Sequence, residues 1–298
     1  LLADSVAALP LQQYRLAGGG QSVKVGPAQL FRDPSDYGTL YDWVFSCMTS
    51  LVLKGNAFGL ITRRGADEFP ETAEWLDPER VWIDERTRLY YLDGREIDRE
   101  QLIHIRAFSL PGRMRGVSPL GLFASTMGAG RAMTDYAASW FNNGGFPPGT
   151  FRNTSMEVDQ EQAEKIKRRL VTSMLQRAPL VFGADWEYTP ISIPPAEAQF
   201  VEASQMNATQ IAAIYGIPPE RIGGSRAGGS LTYANQEQDE IAWQTSGVRP
   251  WVVRLERAFF DLLPPGSYVR FNMDAAIRTD LKTRHEVYQI DRNIGIRN

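Results

Sequence analysis

The run GGSRAGGS at 223–230 places four glycines in eight residues and nearly completes a phosphate-binding loop. In the pattern G-x-x-x-x-G-K-[ST], backbone N–H groups cradle the phosphates and the Lys reaches the outer ones. A strand must precede the loop and a helix must follow it. Here Gly229 occupies the Lys position, and the preceding PPERI does not read as a buried strand. Without the Lys and the strand, Gly223, Gly224, Ser225, Arg226, Gly228 and Gly229 read as a loop that takes its shape from its surroundings. A nucleotide-binding enzyme using 223–230 is the enzyme alternative this run leaves.

Other groups able to do chemistry are sparse. Of the two histidines, His104 lies in a strand-like run and His285 in a helix-like one. Neither has Cys or carboxylate neighbours at metal-ligand spacing. No G-x-S-x-G nucleophile elbow occurs. The expectation is a protein without catalytic, cofactor or metal residues. The single cysteine, Cys47, allows no internal disulfide, suits a reducing compartment and reads as a buried structural thiol. The charge cluster that stands out is Lys165, Lys167, Arg168 and Arg169. It sits late on a helix whose start carries Asp159, Glu161 and Glu164, an order that complements the helix dipole. Such a cluster is either a solvated face or a partner contact.

The elements that must position these groups follow from periodicity and punctuation. With 298 residues, 43% hydrophobic and 22% charged, the chain can bury one large or two smaller cores. A net charge of −3 excludes a generic phosphate-neutralising nucleic-acid binder. No run of 18 apolar residues is present, so no membrane-spanning helix is expected, and no signal peptide is evident. The chain starts at Leu1 and stops at Asn298 within an apparent element, which implies that both ends are cut.

A helix is predicted over 39–53, a turn at Gly55-Asn56, and short strands over 57–62, 80–84, 89–92 and 102–108. Asp93-Gly94 marks a hairpin turn. Ser118-Pro119 is an N-cap followed by proline at the first helical position. The helix it starts is predicted to reach Asn142, and its many Gly and Ala residues allow close approach of another helix. After it come a strand at 150–152, a helix capped by Asp159 with Gln162 three residues on, and strands at 179–182 and 186–191. The next helix carries Phe200, Asn207, Ile211 and Ile214 on one face and stops at Gly216, before Pro218 and Pro219. A last long helix, about 232–263, is predicted to kink near Val248 because Pro250 removes a hydrogen bond. A strand at 268–273 and a helix at 279–290 close the chain.

The order of several phrases resembles the portal (head-to-tail connector) proteins of tailed bacteriophages and gene transfer agents. They are LPLQQYR at 9–15, LVLKGNAFGLI at 51–61, RGVSP at 115–119 and FNNGGFPPGTF at 141–151, then FVEASQMNATQIAAIYGIPPERIGG at 200–224 and LTYANQEQ at 231–238. Each is weak alone; together they cover nearly the whole chain.

The resemblance implies an α+β portal-like fold with wing, helical stem, small α/β clip and a long kinked C-terminal helix. It implies a wing over 1–117, a first stem helix over 118–145, a clip over 146–195 and a second stem helix over 196–215. A tunnel loop would cover 216–230, and 231–298 would form the long wing helix with a strand and terminal helix. The family's function would be a ring, usually of twelve copies, at one vertex of the virion, assembled in the host cytoplasm. Double-stranded DNA would pass through it non-specifically. Its partners would be the major capsid protein, the terminase large subunit and a head-tail adaptor. Lys165, Lys167, Arg168 and Arg169 would then lie on the clip. For Arg226 in that loop the expectation is a transient touch on DNA phosphates, against a solvated or intersubunit-paired arginine. A minor capsid or head-completion adaptor without a DNA channel is the alternative among structural proteins.

Overall fold

The computed structural model describes residues 1–142, 149–155, 159–175, 184–190, 197–224 and 233–275. Helix α1 (Leu2–Ala7) leads to strands β1 (Leu11–Leu16) and β2 (Ser22–Val25) and the single turn α2 (Gln29–Arg32). Helix α3 spans Leu40–Lys54. Thr39 and Asp42 form a reciprocal capping box at its start, and Gly55 ends it at φ 74° with its N–H on the Leu51 carbonyl. The chain turns at Gly55 alone. Asn56, expected in the turn, already belongs to β3 (Asn56–Arg64), because one left-handed residue suffices to redirect the backbone.

Strands β4 (Pro70–Leu76), β5 (Val81–Asp84), β6 (Leu89–Leu92), β7 (Arg95–Ile97) and β8 (Leu102–Arg106) follow. Asp93 and Gly94 both take positive φ, as a two-residue hairpin between β6 and β7 requires. Helix α4 (Pro119–Leu122) is capped by the Ser118 hydroxyl. The continuous helix expected over 118–142 is broken at Phe123, whose φ −111° and ψ 30° leave the helical region, and it resumes as α5 (Ala124–Asn142).

Beyond it lie β9 (Gly149–Asn153), α6 (Gln160–Leu175), β10 (Trp186–Pro190) and α7 (Glu197–Tyr215). Helix α8 (Tyr233–Ala242) passes through a π-helical turn (Trp243–Val248) into α9 (Arg249–Phe260), and β11 (Ser267–Phe271) closes the described chain. Where a kink or break is expected near Val248, the helix has this π turn. Pro250 has no N–H to give, and its ring would strike the carbonyl four residues back in a regular helix. The strand expected at 179–182 and the helix at 279–290, with His285, lie outside the described residues.

Two compact units result. One comprises 1–123, 213–218 and 233–275 of the described chain; the other comprises its residues from 124 to 212 together with 219–224. In the first, antiparallel sheets run in the orders β11-β1-β2, β4-β3-β8 and β5-β6-β7. Strand β1 pairs along its length with β11, Leu11 opposite Phe271 and Tyr14 opposite Tyr268. A core of Val44, Cys47, Met48 and Leu51 from α3 and Trp251, Leu255 and Phe259 from α9 is almost wholly buried. Each such large apolar side chain contributes about 1.5–3 kcal/mol on burial. The buried carboxylate of Glu256 accepts from the Arg270 guanidinium and from the Phe271 N–H at 2.8 Å, so its charge is compensated. In the second unit β9 and β10 form an antiparallel pair, Trp186 opposite Asn153.

Candidate functional site

The structure describes the first part of the glycine loop. In the first unit, Gly216 takes φ +65° after α7, Tyr215 donates to the Val52 carbonyl at 3.3 Å, and Ile217 packs on the core. Gly247 of the π turn lies beside this segment. A Cβ there would sit 2.2 Å from the Trp243 ring and 3.0 Å from the Gly216 carbonyl oxygen, so only glycine fits. In the second unit, Pro219–Ile222 forms a 3-10 turn closed by the Gly224 N–H on the Pro219 carbonyl at 2.8 Å. Gly223 has φ +82°, and a Cβ on Gly224 would meet Pro219 at 2.8 Å. A 3-10 turn therefore stands where a phosphate-binding loop would need a strand. Ser225, Arg226, Gly228 and Gly229 lie outside the described residues.

The basic cluster lies on α6. Asp159 caps this helix, its Oδ1 accepting from the Gln162 N–H at 2.8 Å. Lys165 pairs with Glu161 at 2.7 Å and Arg168 reaches Glu164 at 3.9 Å, both four residues back. Such exposed pairs contribute about 0.3–0.5 kcal/mol each. Among the described residues Lys167 and Arg169 have no ion-pair partner. Ile166 and Leu170 are only half covered, and Val171 is exposed. The helix thus presents charge and apolar surface together.

Within the same unit α5 and α7 approach closely at Gly130 and Asn207. The buried Asn207 side chain donates to the Thr126 carbonyl at 3.2 Å. A Cβ on Gly130 would fall 2.3 Å from Asn207 Oδ1, so the glycine is what admits the amide. A cavity of about 380 Å³ lined by Met133, Ala137, Ala208 and Ile211 lies alongside. The small residues of α5 were legible in sequence; that one of them faces Asn207 was not.

His104 is held by two neighbours. Asn56 Oδ1 accepts from the Gly116 N–H at 2.7 Å while its Nδ2 donates to the Gly116 carbonyl at 2.8 Å, which fixes the orientation of the amide. His104 Nε2, 3.1 Å from Asn56 Oδ1, must therefore carry the proton, leaving Nδ1 to accept from the Tyr90 hydroxyl at 3.1 Å. Burial, reinforced by Arg106, Arg99 and Arg115, lowers the imidazole from 6.5 to about 3. Both ring nitrogens are thus committed to structural bonds. Among the described residues no group of three or more His, Cys, Asp or Glu side chains is placed to hold a metal ion.

Comparison with known proteins decides the family. The phage portal protein family model matches residues 1–298. This chain belongs to the phage portal protein family. It is 28% identical to the probable portal protein of Streptomyces phage phiC31, over 99% of this chain and 70% of that one. It is 22% identical to the portal protein of Enterobacteria phage HK97, over 95% and 71% of the two chains. Its fold is similar to the crystal structure of an HK97 family phage portal protein from Corynebacterium diphtheriae, with TM-score 0.70 and 15% identity over 93% and 91% of the chains. It also resembles a chain in the neck of the native gene transfer agent particle, with TM-score 0.60 and 19% identity over 100% and 84%.

Two of the phrases that carry the portal resemblance meet in space. LVLKGNAFGLI supplies Leu53, Gly55 and Asn56; RGVSP supplies Gly116, Val117 and Ser118. Asn56 clasps Gly116 through both its amide atoms, and the Ser118 hydroxyl donates to the Leu53 carbonyl at 2.8 Å. A Cβ on Gly55 would lie 2.2 Å from the Val117 oxygen, so the backbones cross in contact. This clasp fixes where the portal chain leaves β8 and enters α4.

Proposed function

We propose that this chain is the subunit of a portal ring of twelve copies at one capsid vertex, assembled in the host cytoplasm and retained in the virion. Double-stranded DNA enters and leaves through its channel. The observation that carries this reading is the family match along residues 1–298. A net charge of −3 suits a conduit, because dense Lys/Arg contact with phosphates would turn into drag. The first unit serves as the wing, α5 and α7 as stem helices, and β9, α6 and β10 as the clip.

On that reading Lys167 and Arg169, with their paired neighbours Lys165 and Arg168, face the terminase large subunit during packaging and a head-tail adaptor afterwards. The wing faces the major capsid protein, and Arg226 touches passing phosphates. The chain does no catalysis of its own: His104 spends both nitrogens on structure, and ATP hydrolysis belongs to the motor partner. No described helix is long and apolar enough to cross a membrane.

Mass photometry of the purified chain, with negative-stain images of the same sample, tests this. The expected result is a closed ring of about a dozen subunits with a central hole. A small closed oligomer without a channel would overturn it in favour of a head-completion adaptor.

A further inference from the structure

A closed ring of identical subunits needs a head-to-tail interface, in which two different faces of one chain meet. The first unit carries two such faces, and they are chemically complementary. Helix α3 buries Val44, Cys47 and Leu51 and exposes Tyr41, whose ring stacks at 6.2 Å on Phe45, itself half-buried against the core. Just ahead of the helix Tyr37 is 89% exposed, beside the exposed carboxylate of Asp36. Asp42 is exposed in the first turn, and Asp4 accepts from the Tyr41 hydroxyl at 2.7 Å, so the aromatic patch is ringed by acids.

Helix α9 buries Trp251, Leu255 and Phe259 in the same core, where Phe259 meets Trp43 of α3 with ring centroids 5.4 Å apart. Its far side is a stripe of Arg249, Val253, Arg257 and Phe260, with Val253 42% and Phe260 45% exposed. Among the described residues neither Arg249 nor Arg257 has an ion-pair partner. The inner sides of both helices are committed to one core, and the two exposed stripes are carried by two different helices of the unit. One is acidic and aromatic, the other basic and apolar. Arginine over a tyrosine ring adds cation–π attraction to the charge match.

The geometry points to a subunit interface in which the Arg249–Phe260 stripe of one copy docks on the Asp36–Phe45 patch of the next. This rests on the ring reading above and names the wing surfaces that close the ring.

Charge exchange between subunits is the test. One variant carries Arg249→Glu with Arg257→Glu. The other carries Asp36→Lys with Tyr37→Lys, sparing Asp42, which caps α3. Each is measured alone and in a 1:1 mixture by mass photometry, beside the wild-type chain, with thermal melts of all three proteins. The expected result is that each variant alone places like charges across the interface and loses at least tenfold in ring population. The mixture, in which every contact again joins opposite charges, restores rings of even subunit number. Wild-type melting temperatures in both variants would accompany this. Rings in each variant as abundant as in wild type would overturn the interface while leaving the portal reading intact. A wild-type chain that forms no ring at any concentration would overturn both. A sharp fall in melting temperature without rescue on mixing would overturn it in favour of a segment of the same chain covering these faces.

Discussion

At the scale of single residues, the informative groups are those whose polar atoms are completely accounted for. Asn56 makes bonds to both backbone groups of Gly116, to the Lys54 carbonyl and to His104. Replacing it by Ala strands several buried partners at once, and the expected loss is roughly 3 kcal/mol in urea unfolding. His104 gives a pH signature. Its folded pKa of about 3 lies below the ordinary 6.5. Between those values the unfolded chain takes up a proton that the folded chain refuses. The contribution is therefore complete above about pH 6.5 and is lost as pH falls toward 3, by up to about 1.4 kcal/mol per pH unit. Asp42 and Asp93, held low by bonds to Thr39 and Arg80, lose their contribution only at lower pH. The His104→Gln variant should accordingly show a flatter stability profile than wild type between pH 5 and 6.5.

At the scale of elements, glycines on one helix have opposite roles. Gly128 of α5 has open space where a Cβ would go, whereas Gly130 has Asn207 Oδ1 at 2.3 Å. Gly128→Ala should raise the stability of the isolated chain by up to about 1 kcal/mol through helix propensity. Gly130→Ala should lower it by about 1–3 kcal/mol, because the amide must leave the Thr126 carbonyl. Paired thermal melts separate the two. The sequence showed both as small residues permitting close approach; only the packing of α7 tells them apart. The π turn has the same character. Pro250 announces a defect in the helix, but only the structure shows that the defect is a π-helical turn in which Gly247 lies against Trp243 and the Gly216 carbonyl.

At the scale of the whole molecule, the proposed subunit interface joins residues distant in sequence. The α3 patch and the α9 stripe are exposed because each helix has turned its other side to one shared core. Their charges suit a contact that propagates around a ring, and such a contact should weaken with added salt, since exposed charges are screened over about 8–10 Å at ordinary ionic strength. Ring population measured by mass photometry should fall between 0.05 and 0.5 M salt, roughly tenfold or more. A population that rises with salt would instead indicate an interface dominated by apolar burial.

What the sequence by itself determined was local and punctuated. The Asp159 cap, the Ser118-Pro119 start, the Asp93-Gly94 hairpin and the Gly216 stop each need only a few adjacent residues, because caps and turns are satisfied within one turn of backbone. The ordered phrases were enough for the family. The tertiary structure alone decided the pairings: Tyr14 with Tyr268, Asn56 with Gly116 and Gly130 with Asn207. It also decided that β1, β2, β4 and the short helices α1 and α2 form within stretches whose own patterns are too short or too mixed to declare them. Those contacts join residues whose types are common and whose proximity is set by the closing of a core, which is a property of the whole chain.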